Sequence, residues 1–196
     1  MIFNSNKKLI LGSKSPRRSQ LLEEAGFEFE IRVQDIDESY DLDMDVFEVA
    51  QDLAIRKADA LFETLKDDEV LLTADSVVIL NNIIYNKPEN YEDGIRILNE
   101  LSGQTHTVAT GVSLSSQYAR QSFTSITHVT FDDISNEEIA FYLNTYKPYD
   151  KAGGYGIQDW IGLCKVIKIE GSYSNVMGLP IRDVYRALQA FINMIS

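Results

Sequence analysis

The run Val70-Leu71-Leu72-Thr73-Ala74-Asp75-Ser76-Val77-Val78-Ile79-Leu80 is largely apolar and shows no alternation between a wet and a dry side. Such a run reads as a strand buried on both faces, so the rest of the chain must supply cover on either side of it. Asp75 interrupts it near the middle. A carboxylate there is costly unless a cation, a metal ion or several hydrogen-bond donors offset its desolvation. Asp75 is therefore the first candidate for chemistry.

The chain has 196 residues, 44% of them hydrophobic, enough to bury a core in one domain or in two intimate lobes. Around the central run the pattern alternates between strand and helix, without repeats. Strands are expected at Lys8 to Leu11, Phe27 to Val33, Ile83 to Tyr85, Thr105 to Leu114, Ala119 to Phe131 and Gly162 to Ile169. Helices are expected at Pro16 to Ala25, with Ser15 as N-cap and Gly26 as stop, at Val46 to Leu65, and at Tyr91 to Leu101. Two more should cover the stretch ending at Asn144, opened by a Ser135 and Glu138 capping box, and Ile181 to Met194. Asn81-Asn82 reads as a tight hairpin turn.

Charge is distributed unevenly. The net charge is -12, yet the first 22 residues carry Lys7, Lys8, Lys14, Arg17 and Arg18 and no acid. Leu9-Ile10-Leu11-Gly12-Ser13-Lys14-Ser15-Pro16-Arg17-Arg18 is a short strand that breaks where a helix should begin. Free N–H groups, the helix dipole and two arginines would there favour a polyanion. The acidic balance of the whole argues against nucleic acid as partner, though not against a small phosphorylated ligand. Lys57 adds a cation on the apolar stripe Phe47, Ala50, Leu53, Ala54, Ala58, Leu61, Leu65 of its helix, directed at the interior or its margin.

Several functions are excluded. No stretch is apolar enough to span a bilayer, and Met1 to Leu11 lacks the features of a secretory signal, so a cytoplasmic protein with no membrane partner is expected. Cys164 is the only cysteine, which rules out an internal disulfide and a thiolate zinc cluster, and it reads as a buried structural thiol. Asp41, Asp43 and Asp45 imitate an EF-hand, but Val46 stands where glycine is needed and Asp52 where glutamate is needed. They are more simply charge ahead of the Val46 helix. His106 and His128 are isolated and read as structural or surface residues. Walker A, Rossmann and nucleophile-elbow patterns are missing. Lys151-Ala152-Gly153-Gly154-Tyr155-Gly156-Ile157-Gln158 would permit close backbone approach to a ligand. Gly171 to Pro180 reads equally as a ligand loop or as a turn into the last helix.

Taken in order, these motifs resemble the Maf, or septum-formation, family of nucleoside triphosphate pyrophosphatases over almost the whole chain. They comprise Ser13-Lys14-Ser15-Pro16-Arg17-Arg18, Asp37-Glu38, Leu53-Ala54 with Lys57-Ala58, and Ala74-Asp75-Ser76-Val77-Val78. They continue through Lys87-Pro88, Leu101-Ser102-Gly103 with Thr105-His106, Asp150 to Gln158, and Gly171-Ser172-Tyr173 with Val176 to Pro180. Lys14 and Gly154 stand where relatives commonly have glycine and alanine, and Gly12 where many have alanine or serine.

The resemblance implies a single 1–196 domain, an α/β fold with an elongated mixed sheet and two lobes around a central cleft, like inosine triphosphate pyrophosphatase. It implies cleavage of a nucleoside triphosphate between the α and β phosphates, with a divalent cation, Mg or Mn, and a homodimer. Asp75 takes the catalytic position, as base, metal ligand or both, and Glu38 is a second metal carboxylate. Ser13, Arg18, Lys57 and Lys87 would supply the phosphate side, as phosphoryl transfer needs charge neutralisation and an activated water.

The family's dTTP and UTP branch carries arginine, serine or threonine, and glutamine at three specificity positions. The branch preferring 7-methyl-GTP has tryptophan and glutamate at the first and last. Here the three are Arg17, Ser76 and Gln158, which resembles the dTTP and UTP branch. A glutamine amide offers a donor and an acceptor to a uracil or thymine edge, and modified pyrimidine nucleotides are further candidate substrates. Two alternatives remain: a non-catalytic, nucleotide-binding regulator of cell division, and a pyrophosphatase acting on ITP and XTP.

Overall fold

A computed structural model describes residues 7–195; residues 1–6 and 196 of the expected domain lie outside them. The described residues form a mixed seven-stranded sheet of order β2-β1-β3-β5-β6-β7, with β4 paired to β3. The strands are β1 Lys8–Leu11, β2 Phe29–Ile31, β3 Glu69–Leu80, β4 Ile83–Tyr85, β5 Thr105–Ser115, β6 Arg120–Phe131 and β7 Val166–Glu170. β1 runs parallel to both β2 and β3, whereas β4 is antiparallel to β3 and β7 to β6. The α/β mixed-sheet class expected from the sequence is the one observed.

The helices are α1 Pro16–Glu24, α2 Val49–Phe62, α3 Tyr91–Leu101, α4 Asn136–Tyr146, α5 Trp160–Cys164, α6 Tyr173–Met177 and α7 Ile181–Ile195. None is long and apolar enough to cross a membrane. The chain divides into two compact units. One takes the chain as far as Asp75, Thr110–Ser125 and the chain from Gly178 onward; the other takes Ser76–Ala109 and Ile126–Met177.

In the first unit the apolar stripe of α2 lies on the sheet. Ala58, Leu61 and Leu65 pack with Ile10 of β1 and Leu71 of β3, all nearly inaccessible to water. The approach is close because Gly111 of β5 has no side chain. A Cβ there would run into the backbone of Ala50 and Gln51. Thr73 of β3 donates its hydroxyl to the Ala54 carbonyl at 2.6 Å, so its polar atom is satisfied inside the interface.

In the second unit α3 packs against α4, and Gly94 leaves the space that the Leu143 side chain fills. Asn90 caps α3 by accepting from the Asp93 N–H, and Ser135 with Glu138 forms the expected capping box of α4. Asn81 and Asn82 both adopt positive φ, as a two-residue turn between right-twisted strands requires.

Local expectations failed at four places. β2 covers only Phe29–Ile31, because it is an edge strand whose one partner, β1, offers three paired positions. The second helix starts at Val49 rather than Val46: Asp45 accepts from the Phe47 N–H in a turn of its own, and Phe47 stays exposed. Gly162 belongs to a helix, not to a strand; α5 buries Ile161 and presses Gly162 against the Ile157 backbone. Cys164 ends that helix facing solvent, which corrects the expectation of a buried thiol.

Candidate active site

Asp75 is the point where β3 changes character. The strand is buried from Glu69 to Ala74 and from Val77 to Leu80, and only Asp75 and Ser76 between them are partly accessible. The carboxylate is met by the ammonium of Lys57, which points off the inner stripe of α2; the two side chains are 15% and 16% exposed. The same ammonium lies 2.7 Å from Glu38 Oε1, on the acidic loop before α2. One lysine thus joins two carboxylates from separate parts of the chain, which answers the desolvation cost of an aspartate in an apolar strand.

Helix α1 brings a second cation toward this cluster. Pro16 occupies its first turn and Ser15 the N-cap position, but the Ser15 side chain makes no capping bond. Ser13, 7% exposed, precedes it: its Oγ accepts from the Ser15 N–H at 3.2 Å and from Arg18 Nη1 at 3.2 Å. Arg18 also donates Nε–H to the Gly178 carbonyl at 2.8 Å. Burial lowers the pKa of its guanidinium, Asp75 and Glu38 act in the opposite direction, and neighbouring Arg17 adds to the lowering. Ser13, Arg18, Lys57, Glu38 and Asp75 therefore form one electrostatically coupled set within the first unit.

The acidic loop is held by a residue the sequence reading passed over. Arg56 donates Nη1–H to the Ser39 carbonyl at 2.6 Å and Nη2–H to the Asp37 carbonyl, gripping the backbone on both sides of Glu38. Its only sequence signal was its place beside Lys57 on a helix. Asp37 contributes an internal turn, with Oδ1 accepting from the Ser39 N–H at 2.9 Å and Oδ2 from the Ser39 hydroxyl at 2.8 Å. Lys14 does not stand alone in solvent: it forms an exposed ion pair with Asp35 at 2.6 Å.

Of the remaining expected residues, Arg17 lies half-buried on α1 in the first unit, and Ser76, Lys87 and Gln158 belong to the second. Lys87 is exposed in the loop after β4, and Ser76 and Gln158 are half-buried. Gln158 Oε1 is a buried acceptor without a hydrogen-bond partner among the described residues. Such an atom is expensive unless a ligand or water completes it. The glycine-rich stretch before it also serves packing. A Cβ at Gly153 would strike Val78, and one at Gly154 would press on Pro88, so these glycines serve close packing inside the unit.

His106 is buried beside Phe131 and Tyr155, and its Nε2 lies 2.7 Å from the Tyr155 hydroxyl. Desolvation lowers its pKa from 6.5 to about 3, so it is a structural histidine as expected. His128 is exposed and shares a hydrogen bond with Thr107.

Among the described residues, no group of three or more histidine, cysteine, aspartate or glutamate side chains is placed to hold a metal ion. Glu38 and Asp75 are the carboxylates that converge.

Residues 8–191 match the family model described as Maf-like protein. A dTTP/UTP pyrophosphatase of Phocaeicola vulgatus is 44% identical over 191 residues, covering 96% of this chain and 99% of that protein. One of Parabacteroides distasonis is 45% identical over 193 residues, covering 97% and 100%. Among solved structures, the Staphylococcus aureus Ham1 protein superimposes with a TM-score of 0.54 at 14% identity, covering 97% of this chain and all of that one. The likeness to Ham1 is one of fold.

Proposed function

Because the chain belongs to the family of Maf-like proteins, we propose that it is a nucleoside triphosphate pyrophosphatase that hydrolyses dTTP and UTP to the monophosphate and pyrophosphate. The observation that carries this reading is the cluster in which Lys57 joins Asp75 of an otherwise buried strand to Glu38. Relatives 44% and 45% identical over nearly the whole chain bear the name dTTP/UTP pyrophosphatase.

In this reading Ser13, Arg18 and Lys57 receive the triphosphate, as hydroxyl and cationic donors suited to phosphate oxygens. Asp75 accepts the proton of the attacking water as the α–β anhydride is cleaved and pyrophosphate leaves. Glu38 and Asp75 offer hard oxygen donors, which fit a magnesium or manganese ion completed by water and phosphate oxygens. Bound there, the ion would neutralise phosphate charge and lower the pKa of a water molecule. Lys87 is assigned a further phosphate contact. Arg17, Ser76 and Gln158 are assigned the choice of nucleotide, and the buried, unpartnered Oε1 of Gln158 suits the N3–H of uracil or thymine. A cytoplasmic location, where the nucleotide pool lies, and the homodimer implied by family resemblance belong to the same proposal.

The test is pyrophosphate release from dTTP, UTP, 7-methyl-GTP, ITP and XTP, with and without magnesium or manganese. Metal-dependent release from dTTP and UTP, well above that from the others, is the expected result. No release from any would make the protein a nucleotide binder, and release confined to ITP and XTP would assign the other pyrophosphatase specificity. Asp75→Asn should abolish turnover while dTTP binding persists.

A further inference from the structure

Gln158 sits on a four-residue turn closed by a bond from the Asp159 N–H to the Gly156 carbonyl, 3.0 Å long. The two residues that close this turn meet again through one side chain. Tyr142 of α4 accepts at its hydroxyl from the Gly156 N–H at 3.0 Å and donates to Asp159 Oδ2 at 2.8 Å. A single buried phenol therefore ties together both ends of the turn. Gly156 leaves room for the carboxylate, since a Cβ would stand 2.5 Å from Asp159 Oδ2 and displace it. One residue before the turn, Tyr155 is bonded to His106, so the loop is anchored to α4 and to β5.

Asp159 occupies the N-cap position of α5 but makes no side-chain cap bond there. Its carboxylate is committed to Tyr142 instead, and an acidic acceptor gives the phenol a stronger bond than a neutral one would. The element so constrained presents Gln158, whose Oε1 is buried and lacks a partner among the described residues.

We infer that Tyr142, acting through Asp159 and Gly156, is the positioning residue that aims the Gln158 amide at the nucleotide base. This rests on the reading of Gln158 as a base-selecting residue. An amide that must accept one N–H and reject another base edge needs its plane held, because discrimination comes from leaving a buried polar group unpaired with the wrong base. Tyr142 supplies no atom to the substrate. Its contribution is to remove alternative orientations of the turn before the nucleotide arrives.

The test is Tyr142→Phe, which keeps the ring and deletes the hydroxyl. Loss of a bond to a charged acceptor should raise the KM for dTTP about tenfold while kcat stays within about threefold. The inhibition constant of inorganic tripolyphosphate, which has no base, should not change. Asp159→Ala should reproduce the defect without disturbing the aromatic core, and the double variant should be no worse than either single one. An unchanged KM in both single variants, or equal weakening of dTTP and tripolyphosphate, would overturn the inference.

Gln158→Ala, measured alongside, separates the two levels. If it weakens dTTP and the Tyr142 and Asp159 variants do not, the positioning role fails alone. If it leaves dTTP unaffected, base selection by Gln158 fails and the positioning role falls with it.

Discussion

Lys57 and Asp75 make each other tolerable: an ammonium on the inner side of α2 and a carboxylate in the middle of β3 meet as an ion pair, both largely withdrawn from water. Neither side chain suits its own element. The helix needs an apolar residue facing the sheet, and the strand needs one between Ala74 and Val77. Glu38, at 2.7 Å from the same ammonium, gives the pair a second acid.

Removing one partner of this pair should cost more than removing both. Lys57→Met leaves two carboxylates facing each other and is expected to lower unfolding free energy by about 2–3 kcal/mol. Lys57→Met with Asp75→Asn should recover a good part of that in urea unfolding while remaining inactive. Equal or additive losses in the double variant would show that the two side chains do not support each other.

The grip of Arg56 on the carbonyls of Asp37 and Ser39 predicts a catalytic defect without a large fold defect, because the loop it holds is exposed. Arg56→Ala should lower kcat/KM about tenfold and raise the magnesium concentration needed for half-maximal rate, through loss of Glu38 placement. Arg56→Lys should rescue little, since an ammonium lacks the fork that reaches both carbonyls. The thermal midpoint should shift by only a few degrees. A large drop with normal activity in the remaining folded fraction would mean that Arg56 serves stability alone.

Acid should destabilise the fold in two overlapping windows. Desolvation holds His106 at about 3 against an ordinary 6.5, so the unfolded chain binds its proton first and stability falls as pH drops below 6.5. Glu69 is drawn down from 4.5 to about 2, chiefly by its double bond to Arg32. Its contribution is present above 4.5 and is lost as pH falls toward 2. Unfolding free energy measured against pH should lose its slope between 6.5 and 4.5 in His106→Gln, about half of it between 4.5 and 3 in either variant, and most of it between 3 and 2 in Glu69→Gln. A wild-type slope in either variant would assign that window to other groups.

Much of the fold was legible because it is written in local chemistry. The helix Tyr91–Leu101, the Asn81-Asn82 turn and the α4 capping box follow from periodicity, positive φ and cap residues that need no distant partner. The candidate site was legible in part: Asp75 and Lys57 stood out because each contradicts the element that carries it. What escaped was set by neighbours remote in sequence. The length of β2 depends on β1, and Arg56 and Tyr142 show their roles only through carbonyls, amides and a carboxylate elsewhere in the chain.

By itself, then, the sequence determined that a strand covered on both faces runs through the molecule, and that an acid and a lysine had to be reconciled with an apolar interior. Only the tertiary structure decided that the reconciliation is mutual, with Glu38 as the third member and Arg56 holding it in place. The physical reason is that desolvation cost is a property of one residue, whereas its compensation belongs to a pair and depends on a distance that folding alone creates.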